Sequence, residues 1–468
     1  MAENNSSETK SGIYVITAAQ AIQSDKHSKR HMKDSSRGAP NKELIKGLER
    51  YCSDRDAELI ILRMPGMDNS EENMHPFFDK RGDVYDRFNK KLNDGIELSD
   101  MMVPPQNVDP ASGRGRFVQS DCTKVFPHTK QRLKAIPASN ANLPKLLMTT
   151  GAITYPNYHP SNHRGDAAKR DHMYGAVVVE IIDDTFYNVR HMRAQQNGKF
   201  IDMGLKYDMG RKPTKAKVEA LVWGDVHVGD DDPETMGANY EMIDHFQPKR
   251  LFLHDFLNGH SVNPHERDNL MSRAQNWEKG RLSLEEELKN AYDELRIVSK
   301  LMGKREVNLV ASNHHFFLDR YLESGDFTRE PWNTKLAMNL GLAMMDGEDP
   351  VEAGLKMMGD IPSNVNFLKI DSDYKVWGWQ LGSHGHKGIS GAKGSIRSRE
   401  NAHGKSITGH SHTPEILRNT YIVGTSTELV LDYNKGDVSS WMAANAVLYD
   451  GGLVQMLPIV HGKWKLKE

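Results

Sequence analysis

The chain alternates short apolar runs with amphipathic stretches, and the two periods separate strands from helices. IYVITAA at 13–19 is a continuous apolar run, and NKELIKGLERYCSDRDA at 41–57 repeats apolar positions at three- and four-residue steps. ELIILRM at 58–64 is a second run, stopped by Pro65 and Gly66. Strand, helix, strand in that order predicts a parallel pair. AVVVEII (176–182) and TFYNVRHM (185–192), separated by Asp183 and Asp184, predict a hairpin, and GKFIDMGLKYD continues in the same style. Further along, PETMGANYEMIDHF (233–246) predicts a helix that leads directly into the strand RLFL (250–253). Residues 282–302 set Leu284, Leu288, Ala291, Leu295 and Val298 on one face, which predicts a core-facing helix rather than a dimerising coiled coil. The segment 334–358 carries five methionines and reads as a small helical insertion covering the site, with the methionines filling gaps in the core.

These patterns divide the chain into a polar, disordered start at 1–11, an amino-terminal α/β region at 12–215 with hairpins, and a second α/β part at 216–468. Composition narrows the function classes. With 61 basic and 63 acidic residues the net charge is −2, so no global field attracts nucleic acid and such binding must come from local patches. Cys52 and Cys122 lie far apart in sequence, which argues against a disulfide scaffold and suits a reducing compartment. No stretch approaches the roughly 20 apolar residues of a membrane span, and the start MAENNSSETKSG lacks the apolar core of a signal peptide. A cytoplasmic protein with no membrane partner is expected.

Candidate chemistry gathers where apolar runs end. Asp225 and His227 in GDVHVGD follow EALVW, Asp255 follows RLFL, Asn313 follows VNLVA, and His384 follows VWGWQL. His410 and His412 close the series in TGHSH. Loops at strand ends are where open α/β sheets bind ligands. Imidazole, carboxylate and amide oxygen bind divalent transition metals, and two ions roughly 3.5–4 Å apart can hold one phosphate and activate a water. One carboxylate must bridge such a pair.

In these motifs the chain resembles the calcineurin-like metallophosphoesterases, whose series runs D-x-H, G-D, G-N-H-[DE], H and G-H-x-H; the likeness covers residues 218–432. The resemblance implies a sandwich of two mixed sheets flanked by helices. It implies that Asp225, His227 and His412 hold one ion, that Asn313, His384 and His410 hold another, and that Asp255 bridges them. His314 matches the histidine that protonates the leaving oxygen, and His386, the second histidine of GSHGH, would face the substrate or stand behind the ligands. The departures carry information too. His254 replaces the glycine before the bridging aspartate, and FLNGHSVNPHERD lacks the D-R pair with which protein phosphatases of this family grip phosphate. Ser312 replaces the glycine of G-N-H, and His315 stands where an acidic residue commonly orients the neighbouring histidine.

Between the last two motifs, residues 387–405 carry Lys387, Lys393, Arg397, Arg399 and Lys405 against one acid, Glu400. Both ends of this segment are pinned at the site, so Lys387, Lys393, Arg397 and Arg399 are candidate substrate contacts. Basic, histidine-bearing runs at 26–33 and 161–172, and Arg114 with Arg116, are further candidates for a polyanion. The expected activity is two-metal hydrolysis of a phosphodiester, most simply in DNA, with manganese as the metal and iron, zinc or magnesium as alternatives. The segments GHSVNPHERDN and TGHSHTPEI are similar to those of the T5-like phage phosphoesterases of pre-early DNA degradation, which implies host DNA as substrate and a homo-oligomeric enzyme. A small-molecule phosphodiesterase or nucleotidase, and a scaffold keeping a degenerate metal site, are the alternatives.

Overall fold

The computed structural model describes residues 12–22, 37–66, 73–118, 122–139, 143–158, 163–431 and 434–466. The expected disordered start and the basic run at 26–33 lie outside these residues, as do the first two residues of the run at 161–172.

Mixed α/β architecture is built on three large sheets. An eight-stranded sheet contains the expected parallel pair, Ile13–Gln20 against Ala57–Met64, and the expected hairpin, Tyr174–Ile181 against Tyr187–Ala194. The helix between the parallel strands, Lys42–Arg55, starts where the Asn41 side chain accepts from the Leu44 amide at 3.1 Å. Arg190 is buried on this sheet, 2.8 Å from Glu180 and 2.7 Å from Asp202. Burial alone would raise the Asp202 carboxyl, but the Arg190 guanidinium outweighs it and holds it below the usual range.

The motifs depend on a six-stranded sheet in the order Val365–Leu368, Glu306–Val310, Arg250–Leu253, Val218–Val222, Ala444–Tyr449, Val454–Pro458. Its first four strands are parallel, and the last two complete it in antiparallel fashion. Val218–Val222 is buried throughout, and its one acid, Glu219, is neutralised by Lys249 at 2.5 Å and Arg250 at 3.2 Å. Crossover helices cover one face. Pro233–Phe246 begins at Asp232, whose carboxylate accepts from the Thr235 amide at 3.0 Å, and Leu284–Met302 begins at Ser283 with three glutamates in its first turn. Leu284, Leu288, Ala291, Leu295 and Val298 are buried there as the periodicity requires.

A ten-stranded sheet draws strands from both sides of residue 215. Arg132–Ile136 pairs with Glu415–Leu417, which joins amino-terminal strands to those leading into the last two motifs. One apolar cluster fills the space between the sheets, with Ile16, Leu133, Val222, Phe252, Ile407 and Leu448 all buried in it.

The methionine-rich segment forms two helices, Pro331–Met345 and Pro350–Met358, packed on helices Leu284–Met302 and His315–Ser324. Its methionines fill the core only in part: Met344 and Met358 are partly buried and pack against it. Met338, Met345 and Met357 are exposed, and the buried positions of the first helix are Asn333, Ala337 and Leu340. Cys52 and Cys122 are both free thiols, and no described helix is long and apolar enough to cross a membrane.

Candidate metal centre

All the expected ligands hang from strand ends, and backbone pairing carries the sheet past those ends to hold them. Beyond Val218–Val222 and Arg250–Leu253, the amides of Val226, His227 and Val228 donate to the carbonyls of His254, Asp255 and Phe256 at 2.8–3.1 Å. The Gly409 amide donates to the His384 carbonyl at 3.0 Å, and the His410 amide donates to Asp225 Oδ2 at 2.7 Å. His227, Asp255, His410 and His412 all adopt positive φ, at 47°, 43°, 82° and 54°. Non-glycine residues pay for that conformation, and its concentration in four neighbouring polar side chains marks a place where the fold enforces geometry against local preference.

The side chains converge in two groups that share Asp255: Asp225, His227, Asp255 and His412 form one, and Asp255, His384 and His410 the other, with ligand atoms inside each group within 4.8 Å of one another. Asp255 Oδ2 lies 3.0 Å from His384 Nε2 and 3.6 Å from His227 Nε2, and Asp225 Oδ2 lies 3.2 Å from His412 Nε2. His227 Nε2 and His412 Nε2 face each other at 3.0 Å. Burial opposes ionisation of Asp225, but His384 and His412 hold it down at about 2, and Asp255 is held well below its ordinary value by the imidazoles around it, His384 first. Burial, reinforced by His314, pushes His227 down to about 3; burial, reinforced by His384, pushes His410 to about 4. His384 goes the other way: burial alone would lower it, but Asp255 and Asp225 outweigh burial and raise it. Ionised carboxylates and neutral His227 and His410 are the protonation states that metal binding requires, whereas His384 has to give up its proton to a metal.

Whether these residues suit a metal is answered by what they leave unsatisfied. Asp225 Oδ1, Asp255 Oδ1 and Asn313 Oδ1 are buried without a hydrogen-bond partner, a costly state for carboxylate and amide oxygens unless a cation takes it up. The groups can hold a metal ion, and their nitrogen and oxygen donors suit a transition metal of intermediate softness.

His314 precedes the helix His315–Ser324, its ring centroid 4.5 Å from that of His227, and its Nδ1 lies 2.5 Å from the Asn258 backbone carbonyl. The carbonyl fixes the proton on Nδ1 and leaves Nε2 as the other nitrogen. His315, at the position expected to orient His314, is buried, and its Nε2 has no partner. His386 is half-buried beside His384 and His410, with both ring nitrogens unpartnered.

The basic segment divides. Arg399 is buried, and its guanidinium donates to Thr408 Oγ1 at 2.7 Å, the Gly385 carbonyl at 2.7 Å and the Gly409 carbonyl at 3.3 Å. It braces the His384 loop against the His410 loop, with its side chain buried rather than exposed along the basic segment. The backbones of Lys387 and Lys393 pair in an antiparallel bridge, and the Lys387 ammonium sits 5.7 Å from the Phe316 ring centroid. Arg397 is largely exposed, 3.8 Å from Asp109. Sequence reasoning passed over Trp441, whose ring lies 4.1 Å from that of His412, and Asp230, which lies inside the GDVHVGD motif itself.

No family model and no solved structure matches the chain. Among curated proteins it is similar to Protein A1 of Escherichia phage T5, with 26% identity over 452 residues, covering 91% of this chain and 80% of that protein.

Proposed function

We propose that this protein is a two-metal phosphodiesterase of the calcineurin-like type, acting on DNA in the cytoplasm of a phage-infected host. The observation that carries the reading is the convergence of Asp225, His227, Asp255, His384, His410 and His412 into two groups sharing Asp255, with Asn313 Oδ1 buried and unpartnered. Asp225, His227, Asp255 and His412 would hold one ion, and Asp255, Asn313, His384 and His410 the other. When bound, a divalent pair supplies positive charge to the phosphoryl oxygens and makes water more acidic. The chain's own work is to position and to move protons. His314 keeps one proton on Nδ1 through Asn258 and gives one from Nε2 to the leaving oxygen. His386, whose two ring nitrogens are buried without a partner, would bond a phosphate oxygen, and Lys387, Lys393 and Arg397 would supply charge for a flanking backbone.

The similarity to a phage protein supports the setting, and the missing D-R grip argues against a protein phosphatase. The test is incubation of purified protein with linear, circular and single-stranded DNA and with bis(4-nitrophenyl) phosphate, each with manganese or with chelator. Metal-dependent loss of DNA is expected. Cleavage of the small diester alone would move the assignment to a small-molecule phosphodiesterase, and no hydrolysis with any substrate would leave a binding or scaffold protein.

A further inference from the structure

We propose that Asp230 is a positioning residue for His314, acting through Asn258; this rests on the reading of His314 as the proton donor. Asp230 lies three residues beyond His227 and is buried, its amide donating to the His227 carbonyl at 2.9 Å. Its Oδ2 accepts from Asn258 Nδ2 at 2.8 Å and lies 2.7 Å from His260 Nε2, while its Oδ1 lies 3.0 Å from Arg281 Nη2. Asn258 in turn lies three residues beyond Asp255, and its backbone carbonyl is the group that faces His314 Nδ1. The carboxylate therefore holds the residue whose carbonyl holds the ring.

The rest of the loop is fixed from the other side. Glu287 accepts from the His260 amide at 2.8 Å and from the Ser261 amide and hydroxyl at 3.1 and 2.6 Å. At Gly259, in a left-handed conformation with φ 80°, a Cβ would meet the Phe317 ring at 3.1 Å and the His314 carbonyl at 3.4 Å, so the loop is packed directly on the start of the His314 helix. A backbone carbonyl has no charge to anchor it, and its direction is set by the peptide it belongs to. Asp230, itself gripped by His260 and Arg281, supplies the anchor that a carboxylate next to His314 in sequence would otherwise supply, and His315 in that position cannot.

The test compares Asp230→Ala, Asp230→Asn and Asn258→Ala with His314→Ala in the full chain. On DNA, whose leaving group needs a proton, Asp230→Ala and Asn258→Ala are expected to lose roughly 10- to 100-fold in turnover, the scale of a misplaced catalytic group. On bis(4-nitrophenyl) phosphate, whose leaving group needs none, the loss should stay under about threefold, with metal content unchanged. Asp230→Asn keeps an acceptor for Asn258 and should recover part of the rate. Adding Asp230→Ala to His314→Ala should cost nothing further. Equal losses on both substrates, or additive losses in the double variant, would overturn the proposal by making Asp230 a structural or metal-holding residue. A readout independent of turnover is the ring nitrogen NMR of His314 in metal-free protein: wild type should show the Nδ1–H tautomer, and Asp230→Ala a mixture. If the wild type cleaves no diester, the proposed function fails and this spectrum alone decides the tether; an unchanged tautomer in Asp230→Ala and Asn258→Ala would sink it. Asn258→Ala keeps the carbonyl and the Asp230 side chain, and so tests the link if Asp230→Ala does not fold.

Discussion

Gly409 is the position where one added methyl group should do the most harm to the candidate centre. A Cβ built there falls 2.0 Å from Asp225 Oδ1 and 3.1 Å from His254 Cβ. Real Cβ contacts under 3.0 Å essentially do not occur, so Gly409→Ala must move residue 409 and the Asp225 carboxylate apart by about 1 Å, the difference between 3.0 and 2.0 Å. Asp225 has little freedom to yield, because its other oxygen accepts from the His410 amide at 2.7 Å and lies 3.2 Å from His412 Nε2. Gly409 does not adopt positive φ, so alanine brings no backbone strain and the effect is steric alone. A misplacement of about 1 Å at a reacting centre costs on the order of 10²-fold in rate, and overpacking costs about 1–3 kcal/mol in stability. The assays are metal content of the purified protein, urea unfolding, and manganese-dependent hydrolysis of bis(4-nitrophenyl) phosphate. Gly237→Ala is the control: it lies exposed within helix Pro233–Phe246, a Cβ there meets nothing within 4 Å, and a gain of about 0.5–1 kcal/mol with unchanged activity is expected. A Gly409→Ala protein with wild-type metal content and turnover would refute the placement of Asp225 beside the last motif.

Asp255→Ala removes the carboxylate shared by both groups, and it should lower metal content and cut turnover by at least roughly 10²-fold, as should His410→Ala; atomic absorption and the chromogenic diester read both, and wild-type turnover in either variant counts against the ligand set. Replacing Lys387, Lys393 and Arg397 together with serine should flatten the salt dependence of duplex DNA binding by roughly 0.9 for each phosphate no longer neutralised, while small-diester hydrolysis stays near wild type. Arg399→Met should instead lose both activities, since it leaves the carbonyls of Gly385 and Gly409 without their donor at about 1–3 kcal/mol each; a variant that lost DNA cleavage alone would return Arg399 to the substrate. Burial pushes His128 to about 3 and His172 and His191 to about 4, all away from the metal groups. Folded pKa values below the unfolded value of about 6.5 mean that the unfolded chain binds more protons as pH falls, so stability should drop by about 1.4 kcal/mol per pH unit per histidine below that point. Urea midpoints at pH 7, 6 and 5 measure it, and a flat profile would contradict the burial of these rings.

Much of the fold and the site was legible because the responsible signals are local. A ligand at the end of a buried strand needs an apolar run followed at once by a polar side chain, and Val218–Val222 before Asp225 and Arg250–Leu253 before Asp255 spell that out within about ten residues each. The parallel unit at the amino terminus and the hairpin of Tyr174–Ile181 with Tyr187–Ala194 were readable for the same reason. Direction was not readable. Arg399 and Arg397 sit two residues apart in one charged segment, yet the helix Ile396–His403 turns the first inward and leaves the second outside, and composition counts both as positive charge. The methionines of 334–358 misled in the opposite sense: apolar character predicted burial for all five, but only Met344 and Met358 pack on the core, while Met338, Met345 and Met357 fall on the outer faces of their helices. Register was the deeper barrier. Asp230 reaches Asn258 only because the segments beyond two neighbouring parallel strands stay paired as far as Val228 and Leu257, setting residues 28 apart in sequence side by side. No spacing rule links an aspartate five residues past one ligand to an asparagine three past another. Such a contact follows from how two strand ends are aligned, and that alignment is decided by the packing of the whole sheet.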